Sequence, residues 1–417
     1  MDCNTQPGLL PVEDALARIH TALIPLVESE PVILANALDR VLALPVESAV
    51  AVPPYDNSAM DGYALRASDS HQPLRIIGQA LAGHPFHGAL NPGDCVRIMT
   101  GAVIPNGADT VVMQENVQAS AAHIQLQAPV TPGENIRYAG EDIATGSILF
   151  AKGHRLTALD IGLLASVGCA EIRVIRKLRV ALLTTGDELR KAGEPLAPGC
   201  LYDSNRPLLK ALLTRLPVEL LDLGIIPDQP EALRHAFQEA IAWADVIIST
   251  GGVSVGDADY TRNILGEYGT IALWKIAMKP GKPFAFGQLH QQHRYQQQDC
   301  GGWFFGLPGN PVSTAVTFHQ LVVPALRHLC GEQVSPSLSL TAIAETPLKK
   351  QPGRMDFQRG ILRFEQGQYY VRSAGLQSSG VLSTMINANC YIRLSLEQGA
   401  IAAGSEVEVV PFDGFIR

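Results

Sequence analysis

Two stretches decide the fold: Arg179-Val-Ala-Leu-Leu-Thr-Thr-Gly-Asp-Glu188 and Ala244-Asp-Val-Ile-Ile-Ser-Thr-Gly-Gly-Val-Ser-Val-Gly-Asp-Ala-Asp-Tyr260. In each, a continuous run of aliphatic residues stops abruptly at glycine and acid. A run with no polar face reads as a strand covered on both sides, as the strands of parallel sheets are. Between the two, the spacing predicts a helix near 207–216, a strand at 218–226 and a helix at 230–243. Regular alternation of this kind implies a doubly wound α/β domain, a parallel sheet with helices on both faces. The pattern continues through strands at 271–276, 284–286 and 303–305 to a long helix from Pro311 to about Leu329.

Outward from this block the texture changes twice. On the N-terminal side, Val12, Ala15, Leu16, Ile19 and Leu23 make a helical stripe, and a second short helix fits 34–42. After Pro53-Pro54, short β runs at 74–78, 95–99, 110–114 and 123–127 alternate with Gly, Pro and Asn turns. Helical spacing returns at 157–167, where Thr157 and Asp160 stand as in a capping box, and a strand at 171–175 follows. We therefore expect residues 54–142 to be a β domain inserted into a helical scaffold made of 1–53 and 143–178. The α/β domain spans 179–330. Strands at 338–344, 357–364, 369–373, 390–394 and 407–410 outline a barrel-like β domain over 331–417. The Gln- and His-rich stretch 288–299 lies between two apparent strands and reads as a solvated hairpin extension.

Composition narrows the function. With 47% apolar and 17% charged residues the chain has ample material for a packed core. Its net charge of -8 excludes a general nucleic-acid binder, which needs clustered Lys and Arg. No eighteen-residue apolar run suggests a membrane span, and no apolar segment near Met1 suggests a secretory signal, so a cytoplasmic protein is expected. Seven scattered cysteines form no CxxC and read as reduced thiols, and eleven histidines give no HExxH.

In open α/β sheets ligands bind beyond the carboxyl ends of the strands. The first such loop, Thr185-Gly186-Asp187-Glu188, carries two carboxylates, which serve either a site or the start of a following helix. The second holds Gly251, Gly252, Ser254, Asp257 and Asp259. Glycine-rich backbone can approach phosphate oxygens, and one or two carboxylates suit Mg²⁺. Lys275, Lys279 and Lys282 fall within eight residues of an otherwise acidic chain. Gly306-Leu-Pro308-Gly309-Asn310-Pro311 leads into the long helix, with Asn310 at N-cap and Pro311 at N1. Carboxylates, glycine loop and lysines on one edge imply a nucleotide or phosphoester held through a divalent cation. The absence of GxGxxG, GxxxxGK[ST] and GxSxG excludes a dinucleotide, P-loop or α/β-hydrolase reading. In the β insertion, the loops around Asp61, Thr100 and Arg137 to Asp142 are polar enough for a site, and equally of turn composition.

The motifs DNSAMDGYA, RIMTGA, GENIRYAGEDI, TTGDEL, STGGVSVGDADY, KIAMKPGKPFAFG and FGLPGNPVS resemble, in order and across the chain, those of the MoeA family. These are molybdopterin molybdenumtransferases, to which the gephyrin E domain is related. The resemblance implies a central MogA-like domain in an elongated, four-domain homodimer. Its cleft would lie where the α/β and C-terminal domains of one subunit face the β insertion of the other. It implies insertion of molybdate into adenylylated molybdopterin with release of AMP, and transient partners in the molybdopterin adenylyltransferase and apo-molybdoenzymes or their chaperones. It implies functional roles for Asp61, Thr100, Arg137, Asp142, Glu188, Asp228, Asp259, Lys275 and Lys279, with Ser378 in a short C-terminal match. Glu188, Asp228 and Asp259 would hold Mg²⁺, and Gly251, Gly252, Ser254, Pro308, Gly309 and Asn310 would contact substrate. Tyr138 stands where some relatives carry a further basic residue. Two rival functions are the preceding adenylyltransferase, similar only to 179–330, and a protein-binding scaffold on the same fold.

Overall fold

A computed structural model describes residues 8–252, 260–290, 302–334 and 337–416. At its centre is a six-stranded sheet in the order Val218–Ile226, Leu178–Thr185, Val246–Thr250, Trp303–Leu307, Pro283–Leu289, Gly269–Lys275. The first four strands are parallel. Both faces are covered, and the strand register shows why the run at 178–185 has no polar face. Val180 and Leu182 pack with helices Asn205–Leu213 and Val323–Leu329, whereas Ala181 and Leu183 pack with Pro230–Trp243 and the buried residues of Tyr260–Tyr268.

Two expectations need correction, and one of the alternatives left open falls away. Pro283–Leu289 and Gly269–Lys275 join the sheet as a hairpin, antiparallel to one another, so the sheet is mixed at one edge. No helix follows Glu188: Leu189–Arg190 pairs with Leu201–Tyr202 as a short parallel ladder, and the helix begins only at Asn205. The expected helix at 34–42 is a single 3₁₀ turn, Leu34–Asn36, because Asp39 takes a positive φ of 62° and the chain turns back.

Helix Val12–Ala22 lays Val12, Ala15 and Ile19 into the same core as the α/β sheet. Strand Ser29–Ile33 pairs with Glu171–Ile175, and Val46–Glu47 with Ile148–Phe150. Helix Ala158–Ser166 starts with the expected reciprocal cap between Thr157 and Asp160. Residues 62–126 form their own six-stranded sheet, with Thr110–Met113 at one edge and Val117–Ala119 at the other. In the C-terminal region, Met355–Glu365, Gln368–Ser373, Leu340–Ala344, Glu406–Pro411 and Cys390–Leu394 pair in that order, and the last returns to the first, closing a five-stranded barrel.

Candidate active site

A cavity of about 520 Å³ opens at the carboxyl edge of the central sheet. Thr184, Thr185 and Glu188 line it from the end of one strand, Thr250 and Gly251 from the next, and Gly309, Asn310 and Pro311 from the third. Glu188 owes its placement to the glycine two residues before it. Gly186 takes a φ of +146°, and a Cβ there would lie 2.7 Å from Glu188 Oε2, so only glycine lets the carboxylate fold back beneath the turn. The neighbouring loop is tied to the same turn: Asp228 N–H donates to Asp187 Oδ1 at 3.1 Å. Glu188 and Asp228 thus stand on adjacent strand ends. Ser254 and Asp259 lie outside the described residues, and among those described no three acidic, His or Cys side chains converge as a metal centre.

Gly251 and Gly252 are both left-handed, at φ +82° and +64°. The N–H of Gly251 is committed to Leu307 O at 3.3 Å, so what this residue offers the cavity is close approach. Pro308 is buried and its carbonyl accepts from Thr314 Oγ1 at 2.5 Å, bracing the turn into helix Pro311–Thr317. Asn310 is the N-cap residue as expected, yet its side chain makes no capping bond. Lys275 ends the outermost strand, which runs in the same direction as Trp303–Leu307, so it shares the functional edge. Neither it nor Lys279 lines the cavity, and both are exposed.

The β-insertion residues form a second cluster. Asp61 Oδ1 accepts from both the backbone N–H and the hydroxyl of Thr100, each at 2.8 Å. The backbone bond from Thr100, then its hydroxyl, and more weakly the Arg97 charge hold the Asp61 carboxyl below its ordinary range. Strand Asn57–Ser58 pairs with Ile136–Arg137, and Gly101 N–H donates to Ser58 O, so the three loops are laced together. Arg137 and Asp142 are exposed beside them. Among the described residues, the hydrogen bonds of these loops stay within the insertion and its stem; none reaches the α/β cavity.

The chain matches the family descriptions "MoeA N-terminal region (domain I and II)" over residues 10–168, "Probable molybdopterin binding domain" over 181–328 and "MoeA C-terminal region (domain IV)" over 341–412. A molybdopterin molybdenumtransferase of Haemophilus influenzae is 44% identical over 391 residues, covering 93% of this chain and 94% of that protein. This chain belongs to the MoeA family. A Nostoc molybdopterin molybdenumtransferase is 36% identical over 94% of the chain and 92% of its own. Dictyostelium gephyrin is 30% identical over 92% of the chain, which spans 59% of that longer protein. The molybdopterin biosynthesis MoeA protein of Pyrococcus horikoshii superposes with a TM-score of 0.82 at 27% identity, covering 97% of this chain and all of that one.

In this MoeA chain two features escaped the sequence reading. One wall of the cavity is formed by 201–205, including Tyr202, Asp203 and Asn205. Asn205 Nδ2 donates to Gly309 O at 2.7 Å and so ties the wall to the Pro-Gly turn. The Asp-Ser-Asn run was the available signal, because such residues gather at helix starts. The other is Arg359, 1% exposed in the barrel and without a carboxylate partner among the described residues. Its guanidinium donates to Thr384 Oγ1 at 3.2 Å and to the carbonyls of Leu376 and Ser378 at 3.2 and 3.0 Å. Burial lowers its pKa to about 10. Arg359 thereby fixes the loop that carries exposed Ser378 and delivers Gly380 to the cavity rim. Val312 N–H donates to Ser379 O at 3.0 Å, closing the same loop onto the α/β domain.

Proposed function

We propose that this chain inserts molybdate into adenylylated molybdopterin and releases AMP, as a molybdopterin molybdenumtransferase of molybdenum cofactor biosynthesis. The observation that carries the reading is the 520 Å³ cavity itself, in which a carboxylate, a left-handed glycine turn and a barrel loop meet at one strand edge. The names of the relatives at 44% and 36% identity support it.

In this proposal the donor chemistry of Glu188, Asp228 and Asp259 suits Mg²⁺, a hard cation that takes carboxylate, phosphate and water oxygens. When bound, the ion would neutralise phosphate charge at the cleaved linkage. Lys275 and Lys279 approach the phosphates as point charges. Gly251 and Gly252 allow backbone to come close, with Ser254, Pro308, Gly309 and Asn310 completing the contact. Asp61, Thr100, Arg137, Asp142 and Ser378 serve molybdate and the proton changes around it. Phosphoryl-type transfers depend mainly on orientation and electrostatic stabilisation, so fixed charges of this kind suffice.

The separation of the β-insertion cluster from the cavity supports a homodimer in which each cleft draws on two subunits. Among the described residues no helix is long and apolar enough to cross a membrane. A cytoplasmic enzyme receiving its substrate from an adenylyltransferase and serving apo-molybdoenzymes completes the proposal. The test is anaerobic turnover of adenylylated molybdopterin with molybdate and Mg²⁺, following AMP and reconstitution of an apo-molybdoenzyme. Both signals together establish the transferase. AMP without reconstitution leaves a hydrolase, activity only with unadenylylated molybdopterin and ATP leaves the adenylyltransferase, and ligand binding without turnover leaves a scaffold.

A further inference from the structure

The lysine segment is where three parts of the chain meet. On one side Leu10 N–H donates to Lys275 O and Leu10 O accepts from Ala277, both within 2.8 Å. On the other, strand Met278–Lys279 runs parallel to Met355–Glu365 of the barrel, with Lys279 opposite Asp356. Met355 N–H donates to Ala277 O at 2.8 Å and closes this junction. Asp356 is 2% exposed. Gln358 Nε2 donates to its carboxylate at 3.2 Å, and Lys279 Nζ stands 4.0 Å from Oδ2. Buried Lys350 is close as well, but its ammonium is directed at the carbonyls of Gln351 and Arg354, at 3.0 and 2.6 Å.

A carboxylate sealed inside a protein opposes folding unless its charge is well compensated. Here burial outweighs the nearby cations and pushes the Asp356 carboxyl above its ordinary range. An amide of the same shape would keep the Gln358 contact and shed that penalty, so stability does not explain the acid. Lys279 is placed differently. Its side chain is 46% exposed, although its ammonium stands beside the buried carboxylate.

We infer that Asp356 is a positioning residue for Lys279: the buried carboxylate fixes where the ammonium of this half-exposed side chain stands on the strand that joins barrel to α/β domain. The inference rests on the phosphate-side role proposed above for Lys279. A free lysine has a flexible four-carbon stem, and ordering it before the ligand arrives removes that cost from the bound state.

A double-mutant cycle tests it, using Lys279→Gln, Asp356→Asn and the pair in full-length protein. Two readouts are followed: AMP release from adenylylated molybdopterin, and affinity for AMP alone by calorimetry. Asp356→Asn is expected to lower turnover about tenfold, the scale of a misplaced contact group. In the Lys279→Gln background it should change turnover by less than about twofold, because coupled residues lose the shared interaction only once. Its melting temperature should match or exceed that of the unsubstituted protein. Losses that multiply overturn the inference. If Asp356→Asn does not fold, Asp356→Ser, which leaves room for water, takes its place in the cycle; failure of both to fold makes the acid structural and also overturns it. Coupled losses of AMP affinity in a protein that releases no AMP would remove the transferase reading and leave the positioning role standing. Turnover with independent losses would do the reverse.

Discussion

Asp61 and Thr100 are 39 positions apart, and their partnership is the clearest functional geometry in the β insertion. Each loop was visible in the sequence as a polar turn, yet nothing local joins them; the contact depends on the pairing of Gly62–Leu65 with Asp94–Ile98, which brings the two loop ends together. Thr100→Val keeps the backbone donor and removes the hydroxyl, so the Asp61 carboxyl should titrate higher, nearer its ordinary range, in a carbon-detected NMR titration. The direction follows from the lowered pKa: the folded state favours the carboxylate, so this contribution to stability exists above the unfolded pKa and is lost as pH falls through the folded one. Turnover should drop by about tenfold, and an unmoved carboxyl titration would show that the hydroxyl contributes nothing to the acid's state. Arg359 was illegible for a different reason. An arginine within a strand reads as a surface group, and it is the distant segment carrying Leu376, Ser378 and Thr384 that covers this one. Arg359→Met removes the donors to Leu376 and Ser378 but also removes a buried cation whose burial outweighs the attraction of Asp356 and which makes no ion pair among the described residues. The melting temperature should therefore shift little while hydrogen exchange across 376–380 rises and turnover falls; unchanged exchange there would refute its anchoring role.

Elements were most legible where periodicity and punctuation agreed. Strand Val218–Ile226, helix Pro230–Trp243 and strand Cys390–Leu394 have the bounds that their apolar spacing and flanking breakers predict. The helix expected from Pro311 to about Leu329 is continuous, but its middle is a π turn, Phe318–Val322. Pro324 explains the interruption, since it donates no N–H to the turn before it. Sheet direction was harder to foresee: apolar strands look alike whether parallel or antiparallel, and the hairpin pairing of Gly269–Lys275 with Pro283–Leu289 is a property of tertiary packing. The glycine turn after Val246–Thr250 lets the element scale be tested. A Cβ on Gly251 would meet the backbone oxygen of Thr185 at 2.6 Å, whereas one on Gly252 would meet the Thr261 hydroxyl at 2.5 Å. A hydroxyl can rotate away and a strand carbonyl cannot. Gly252→Ala should cost about 1–2 kcal/mol, mainly for its left-handed backbone, and Gly251→Ala clearly more. Chemical denaturation of both variants checks the order, and equal midpoints would mean that the turn relaxes as a unit.

At the scale of the molecule, the site residues fall into two groups carried by separate bodies. Glu188 belongs to a cavity roofed by the barrel loop, and Asp61 belongs to loops whose hydrogen bonds stay in the insertion. Residue patterns made each group visible but carried no signal of their separation, which only the family resemblance implied, because distance between domains depends on how stems and junctions pack. If each cleft uses the cavity of one subunit and the insertion of its partner, Asp61→Ala and Glu188→Ala damage opposite halves. Each homodimer should then be inactive. After co-refolding in equal amounts, random pairing makes about half of the dimers mixed, and one of the two clefts in a mixed dimer receives both intact halves. The mixture should recover about a quarter of the turnover of the unsubstituted protein, with AMP release as the readout. No recovery, from dimers shown by mass spectrometry to be mixed, would mean that cavity and insertion act within one chain, and the Asp61–Thr100 pair would then have to reach Glu188 by movement of the insertion on its stem at Val52 and Ile143.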